Sequence, residues 1–419
     1  MFPYTAIDTC KRLIWNFPIN DQLKTLIKQK HKLWSQYMQN KSTSLMSEFK
    51  KVRKRIRRET RFLRGQNQNK IALLSKSNPK VFWKYVNSRR KTNNGIGDLK
   101  VCNPSGENYL IKIDCEKADT FCKYFSSIYT DESLSPYTYN EDEIIELQSD
   151  DIKFDTVNVL DKLSKLNIYK SPGGDGLHPR VLFELRNELA LPLSIILNAL
   201  YKLSKLPVAW KQADISPIYK KGSKLEVQNY RPISLTSVCC KVMESIIRDS
   251  LYKYLIQHKI LSDRQYGFIK NCSTTTQLLK IIDDWTEKLE LGGQIDVIYT
   301  DLNKAFDTVP HKRLIYRMRR CGFNLNIIKW VKDFLTDRRH RVKINDSYSP
   351  WHKVLSGVPQ GSVLGPILFL IYINDLIDQC ETHENLFVYA DDAKIYKHIT
   401  SPIDIQDLQH SVNNIKKMV

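Results

Sequence analysis

The chain has 419 residues, with 65 Lys and Arg against 45 Asp and Glu, a net charge of +20 and 42% apolar residues. A mean hydropathy of −0.40 is too polar for a membrane bundle, and the apolar content is too high for a disordered tail. The length leaves room for two or three domains.

At the start of the chain Asp8 interrupts the apolar residues and no early basic cluster precedes them, which argues against a secretory signal. From Lys24 to Lys91 there are 21 Lys and Arg against only Glu48 and Glu59, so this stretch holds nearly all of the excess charge. A basic block that concentrated favours a polyanion, nucleic acid before anionic lipid. Its spacing predicts helices over 21–37 and 45–63, the second carrying KKVRKRIRR from Lys50 to Arg58. The apolar stripe there (Leu45, Phe49, Val52, Ile56, Phe62, Leu63) is too thin for a helix lying on a membrane. Residues 65–69 read as a turn, and 78–89 as a short helix opened by Asn-Pro. Its Phe82, Trp83 and Tyr85 are rings that can stack on bases or pack on a core.

Residues 91–108, with Gly95, Gly97, Pro104 and Gly106, predict a loop or small hairpin, followed by a helix over 115–128. Between Asp131 and Asp161 ten acidic residues accompany one Lys, and 133–148 read as a linker. Beyond it, helices are expected over 157–166, 179–203, 236–257, 274–291, 312–321, 326–336 and 362–377. Strands are expected over 212–219, 294–300, 341–344, 352–355, 386–389 and 393–398. This mixed order with hairpins favours an antiparallel α+β sheet over a doubly wound one. The longest apolar run, 363–373, is broken by Gly365 and Pro366 and falls short of the ~20 residues that cross a bilayer. Nine scattered cysteines, with no CxxC pair, read as reduced and mostly buried thiols of the cytosol or nucleus.

The strongest local signal is LFVYADDAKIY, where two β-forming runs flank Asp391 and Asp392 and predict a tight hairpin with both carboxylates at its tip. In DVIYTDLNKAFD a second strand ends at Asp301. Were the two neighbours, three carboxylates would meet at one sheet edge and repel unless cations neutralised them. Such oxygen ligands suit Mg²⁺ or Mn²⁺, and a pair of these ions can drive an in-line phosphoryl displacement.

These residues belong to a longer series. LSKLNIYKSPGGDGLHP (163–179), WKQADISPIYKKG (210–222), NYRPISLTSVCCKVMESII (229–247), YGFIKNCSTTTQL (266–278), YTDLNKAFDTVPH (299–311), SGVPQGSVLGPILFLIYINDL (356–376) and FVYADD (387–392) occur in that order. From about Leu160 onward the chain resembles the reverse transcriptase of LINE-type (non-LTR) retrotransposons, jockey-like elements above all; the family usually has Pro where this chain has Gly174. The resemblance implies an α+β right-hand polymerase with fingers over 151–291 and a palm with an antiparallel sheet over 292–419, the reverse transcriptase domain covering about 200–419. A basic helical extension over 1–92 and a segment of loop, short helix and acidic linker over 93–150 would precede it.

By the same resemblance Asp301, Asp391 and Asp392 are the catalytic ligands of two Mg²⁺ or Mn²⁺ ions, with Asp307 structural rather than a ligand. Phe306 would lie under the sugar and exclude a 2′-hydroxyl, and Gln360 would contact the incoming nucleotide. Lys220, adjacent to Lys221, and Arg231 would hold the triphosphate. Gly267, Phe268, Ser273 and Thr274 would line the template path, and Gly361 among the motif's glycines would let backbone approach nucleotide or primer. KSPGGDG lacks the Gly-Lys-Ser/Thr of an NTPase phosphate loop, and the resemblance makes it a template-side loop. The partners implied are an RNA template, a DNA primer or target and dNTPs, with no membrane, in nucleus and cytoplasm. The chain also reads as lacking the family's endonuclease and thumb, which leaves an RNA-binding remnant without polymerase activity as the alternative.

Overall fold

Asn20 starts the first element: its side-chain oxygen accepts from the Leu23 amide at 2.9 Å, and helix α1 (Asp21–Asn40) follows in the computed structural model. The structure describes residues 19–89, 95–102, 107–132, 149–378 and 386–418; the linker expected over 133–148 lies outside them. Two compact units divide the chain, residues 1–94 and 95–419.

In the first unit α1 turns back through Lys41, at φ +42, into α2 (Thr43–Ser75), and α3 (Pro79–Arg89) completes it. Four residues of the expected thin stripe form the contact: Leu26, Leu33 and Val52 are buried, with Leu45, Phe49 and Ile56 packed against them, whereas Phe62 is exposed and Leu63 lies outside the cluster. Asn20 donates to Glu59 at 3.1 Å, tying the start of α1 to the middle of α2. The turn expected over 65–69 is absent, because α2 continues through Gly65 for ten further residues. One glycine costs a helix only about 1 kcal/mol, and Gln68 in this stretch donates to Tyr85 Oη of α3 at 2.8 Å.

The second unit begins with a hairpin, β1 (Leu99–Cys102) and β2 (Asn108–Ile111), then α4 (Asp114–Ser127) and α5 (Thr156–Ser164). The single helix expected over 179–203 is two, α6 (Pro179–Glu184) and α7 (Arg186–Leu203), with the Arg186 guanidinium donating to the Phe183 carbonyl at the break. Next come α8 (Val208–Lys211), β3 (Gln212–Tyr219), β4 (Tyr230–Leu235), α9 (Val238–Gln257), α10 (Thr274–Glu290) and β5 (Gln294–Asp301). They are followed by α11 (Ala305–Thr308), α12 (His311–Arg320), α13 (Leu325–Leu335), β6 (Arg339–Ile344), β7 (Ser347–Tyr348) and β8 (His352–Lys353). The last elements are α14 (Gly365–Asp378), β9 (Leu386–Tyr389), β10 (Asp392–Ile399) and α15 (Pro402–Met418).

Two sheets organise this unit, and the class is α+β. In the three-stranded sheet β10 lies between β5 and β9, antiparallel to both. Its side chains alternate as the pleat requires: Leu386, Val388, Ala393 and Ile395 enter the main core, whereas Phe387 and Tyr396 face Ile281 of α10 on the opposite side. The second sheet has the order β4-β3-β6-β7, with β8 also on β6, and here the antiparallel expectation needs correction because β3 and β6 run parallel. More than a hundred residues separate those strands, ample for the crossover that parallel pairing requires. Strand β4 carries Pro232 opposite Pro217 of β3; at the edge of the sheet a missing amide is tolerated.

The apolar run at 363–373 is explained by α14, whose Ile367, Leu368, Phe369 and Ile371 are buried in the main core. No described helix is long and apolar enough to cross a membrane. Of the seven described cysteines, all outside disulfides, Cys102 and Cys115 are exposed, so the expectation of mostly buried thiols holds only for Cys122, Cys239 and Cys240.

Candidate active site

Strands β5 and β10 bring the three predicted carboxylates to one end of the small sheet. Asp301 is the direct cross-strand partner of Asp392, which sets their Cα atoms about 4.5–5.5 Å apart. Asp392 also pairs with Tyr389, so Ala390 and Asp391 form a two-residue turn between β9 and β10. Ala390 sits at φ +58, a left-handed conformation costing a non-glycine residue about 1–2 kcal/mol. Burial chiefly raises the Asp391 pKa, with added repulsion from Asp392 and Asp301, and Arg231 opposes the rise.

A segment distant in sequence holds this turn. Arg264 and Tyr266 bond to Val388 through backbone, at 3.0 and 2.9 Å, adding a short parallel bridge to β9. The buried Gln265 then accepts with one oxygen from the amides of Gly267, at 2.7 Å, and Ala390, at 3.0 Å. A Cβ on Gly267 would stand 2.4 Å from the Ala390 nitrogen, so only glycine permits this approach. No sequence pattern singled out Gln265.

The turn opens on a cleft of about 860 Å³ lined by Lys220, Lys221, Arg231, Phe268, Asp301, Phe306, Asp307, Gln360, Gly361 and Asp391. Lys220 and Arg231 project from the β3–β4 hairpin and are exposed. The half-buried Phe306 ring stacks on Phe369 of α14 at 4.3 Å and 16°, which fixes its plane. Gln360 donates to Asp307 at 2.8 Å, and the Gln360 carbonyl accepts from Ser234 of β4 at 2.7 Å. Gly361 follows at φ +109, where a Cβ would meet the Ser234 oxygen at 2.8 Å. Burial pushes the Asp307 carboxyl up to about 6, against the lowering effect of its bond to Gln360.

Three residues expected along the template path do not line this cleft, and sequence reasoning overlooked Glu244 as well as Gln265. Ser273 and Thr274 do not line this cleft: Ser273 caps α10, its hydroxyl accepting from Thr276 N while Thr276 Oγ1 accepts from Ser273 N. Gly267 lies behind the turn, and its neighbour Phe268 is the one that reaches the cleft. Glu244 of α9, fully buried, accepts from Val363 and Leu364 amides at the start of α14 and so braces the segment after Gln360. The signal for it was available, a lone acid within VCCKVMESII.

Among the described residues no three His, Cys, Asp or Glu groups enclose a ready-made metal site. The Asp301, Asp391 and Asp392 set nevertheless fits a hard divalent cation in donor type and charge. Its members offer only oxygen, occupy one sheet end, and repel one another strongly enough to raise the Asp391 pKa further.

Residues 218–418 match the family model described as reverse transcriptase (RNA-dependent DNA polymerase). The chain is 31% identical over 280 residues to the probable RNA-directed DNA polymerase from transposon BS of Drosophila melanogaster, covering 65% of this chain and 31% of that protein. It is also 31% identical over 240 residues to the RNA-directed DNA polymerase from mobile element jockey of the same species, covering 56% and 26%. With the jockey polymerase of Drosophila funebris it shares 29% over 268 residues, covering 62% and 29%. The chain thus spans about 30% of the length of the curated relatives it matches. Residues 218–418 are thus similar to the reverse transcriptase domain, and the chain is similar to the RNA-directed DNA polymerases of jockey and transposon BS.

Proposed function

We propose that this chain is an RNA-directed DNA polymerase that extends a DNA primer on an RNA template with dNTPs. The observation carrying the reading is the meeting of Asp301, Asp391 and Asp392 beside a cleft that also holds Lys220, Arg231, Phe306 and Gln360. Divalent cations, Mg²⁺ or Mn²⁺, bound at the carboxylates would acidify the primer 3′-hydroxyl and neutralise charge on the reacting phosphate.

The chain's own groups divide the remaining work. Arg231 offers a planar, bidentate grip on triphosphate oxygens and Lys220 a point charge, with Lys221 beside it. Phe306, its plane fixed by Phe369, would block a 2′-hydroxyl. Because the Gln360 side-chain Nε2 is engaged by Asp307, its side-chain oxygen Oε1 is the end left to accept a bond from the nucleotide. In this reading β5, β9 and β10 with the helices after β5 are the palm, and the β3–β4 hairpin with α5 to α10 belongs to the fingers. The basic first unit would hold template RNA, and the protein would act within the nucleus and cytoplasm.

Primer extension on an RNA template with Mg²⁺, comparing the chain with Asp391→Asn, tests the proposal. Incorporation should be abolished by the substitution. Equal incorporation by both proteins sinks the metal assignment; none from either, with salt-sensitive RNA binding retained, sinks the polymerase reading and leaves RNA binding alone.

A further inference from the structure

Residues 311–343 contain eleven Lys and Arg against only Asp333 and Asp337. Over the whole chain this local excess is masked by the acidic stretch that begins at Asp131. The fold gathers it round a second concavity: an open groove of about 970 Å³ between α12, the end of α13 and β8, sharing no lining residue with the catalytic cleft. Lys312, Lys332, Arg339 and Lys353 line it and are exposed, and none forms an ion pair among the described residues. Arg319 adds a fifth cation.

A buried cation stands in the wall as well. Arg338 lines the groove at 3% exposure. It donates to the Phe334 carbonyl at 2.9 Å, yet its Nη2 is buried with no hydrogen-bond partner, and it forms no ion pair among the described residues. Burial holds its pKa down while the buried Glu244 carboxylate attracts it without forming an ion pair, so Arg338 adds positive charge behind the wall. The cations outnumber the two acids in the lining, Glu132 and Asp337, and lie beside the apolar and aromatic groups Ile315, Tyr316, Leu335 and Leu355. Charge for a backbone beside flat or apolar surface for bases is how single-stranded nucleic acid is held.

We propose that this groove binds the phosphate backbone of a single nucleic-acid strand outside the polymerase cleft. RNA lying beyond the copied template and a separated strand of target DNA share the required chemistry. The proposal does not depend on polymerase activity, since binding is read without dNTPs and an inactive Asp391→Asn chain would bind equally.

The test titrates the full chain and a variant carrying Lys312→Ala, Lys332→Ala, Arg339→Ala and Lys353→Ala with a labelled single-stranded RNA, the matching DNA and polyglutamate, from 50 to about 400 mM salt. All four positions are exposed, and unchanged circular dichroism confirms the fold. Removing one phosphate-binding cation should lower the slope of log K against log salt by about 0.7, so the variant should lose about 2–3 for RNA, DNA or both, the affected strand naming the source. Photocrosslinks should map to peptides containing Tyr316. An unchanged slope for both strands, crosslinks elsewhere only, or tighter binding of polyglutamate than of either strand overturns the proposal. Should the fourfold variant misfold, Lys312→Ala with Lys353→Ala reads the same slope at half the expected change.

Discussion

Asp307 and Gln360 offer the sharpest test of the nucleotide site. Gln360 donates to the Asp307 carboxylate at 2.8 Å, and a hydrogen bond to a charged partner contributes about 1.5–3 kcal/mol. Asp307→Leu removes it and frees the carboxamide to rotate, so kcat/KM for dNTPs should fall about 10–150-fold, mostly through KM. Asp307→Asn retains an acceptor of neutral strength, and its loss should stay within about tenfold. Stability should move the other way. Burial raises the Asp307 pKa from 3.8 to about 6, so the folded state holds this proton more tightly than the unfolded chain. Stability from this group is therefore fully present below pH 4 and declines as pH rises to about 6. A rise of that size corresponds to about 3 kcal/mol, an upper bound. Asp307→Asn should thus raise the melting temperature at pH 7.5, with the gain shrinking towards pH 4. The decisive assay is a double-mutant cycle with Gln360→Ala, measuring single-nucleotide incorporation. If Asp307 acts through Gln360, Asp307→Leu costs little further in the Gln360→Ala background. An equal cost in both backgrounds would refute the positioning role.

Gly267→Ala should abolish incorporation while leaving RNA affinity intact, because a Cβ 2.4 Å from the Ala390 nitrogen must push the turn carrying Asp391 away; full activity in this variant would mean the turn relaxes freely. Phe306→Ala should narrow the preference for dNTPs over rNTPs at least tenfold, read from parallel single-nucleotide incorporations, since the stacked ring is the proposed block to a 2′-hydroxyl. Replacing Arg53, Lys54, Arg57 and Arg58 of α2 with Gln should lower the salt slope of RNA binding by about 0.7 for each phosphate no longer neutralised and leave kcat unchanged at saturating template. A fall in kcat with the slope intact would place those residues in the chemistry instead.

Local pattern carried much of the fold and the centre of the site. Alternating apolar residues either side of Asp391 and Asp392 specify a hairpin, and the strand ending at Asp301 has one register that keeps Ile298 on the core side. What resisted reading depends on distance or on context that spacing does not encode. Strands β3 and β6 pair in parallel across a long insertion, a pairing no local periodicity reports. Ser273 and Thr274 fell in a motif associated with template, and Ser273 also accepts from the Thr276 amide at the start of α10; a Ser-x-x-Thr start serves capping whether or not it meets a ligand. The basic face at 311–343 was hidden by summation, because net charge cancels it against acidic residues elsewhere in the sequence.

The restraints on Asp391 come mainly from outside its own hairpin, which follows from the electrostatics. A two-residue turn bearing an unfavourable φ at Ala390 and a carboxylate repelled by two others has a local incentive to open. The hairpin's own ladder, four paired positions between β9 and β10, cannot fix the direction of a side chain at its tip. The Gln265 oxygen, bonded to the Ala390 amide, and the Gly267 backbone behind it close that freedom from one side, while Arg231 attracts the carboxylate from the other. Groups held in place before charge arrives need little reorganisation when it does. The strain and repulsion at this turn are therefore the cost of presenting three carboxylates together, and the distant segment around Gln265 is what allows the fold to sustain it.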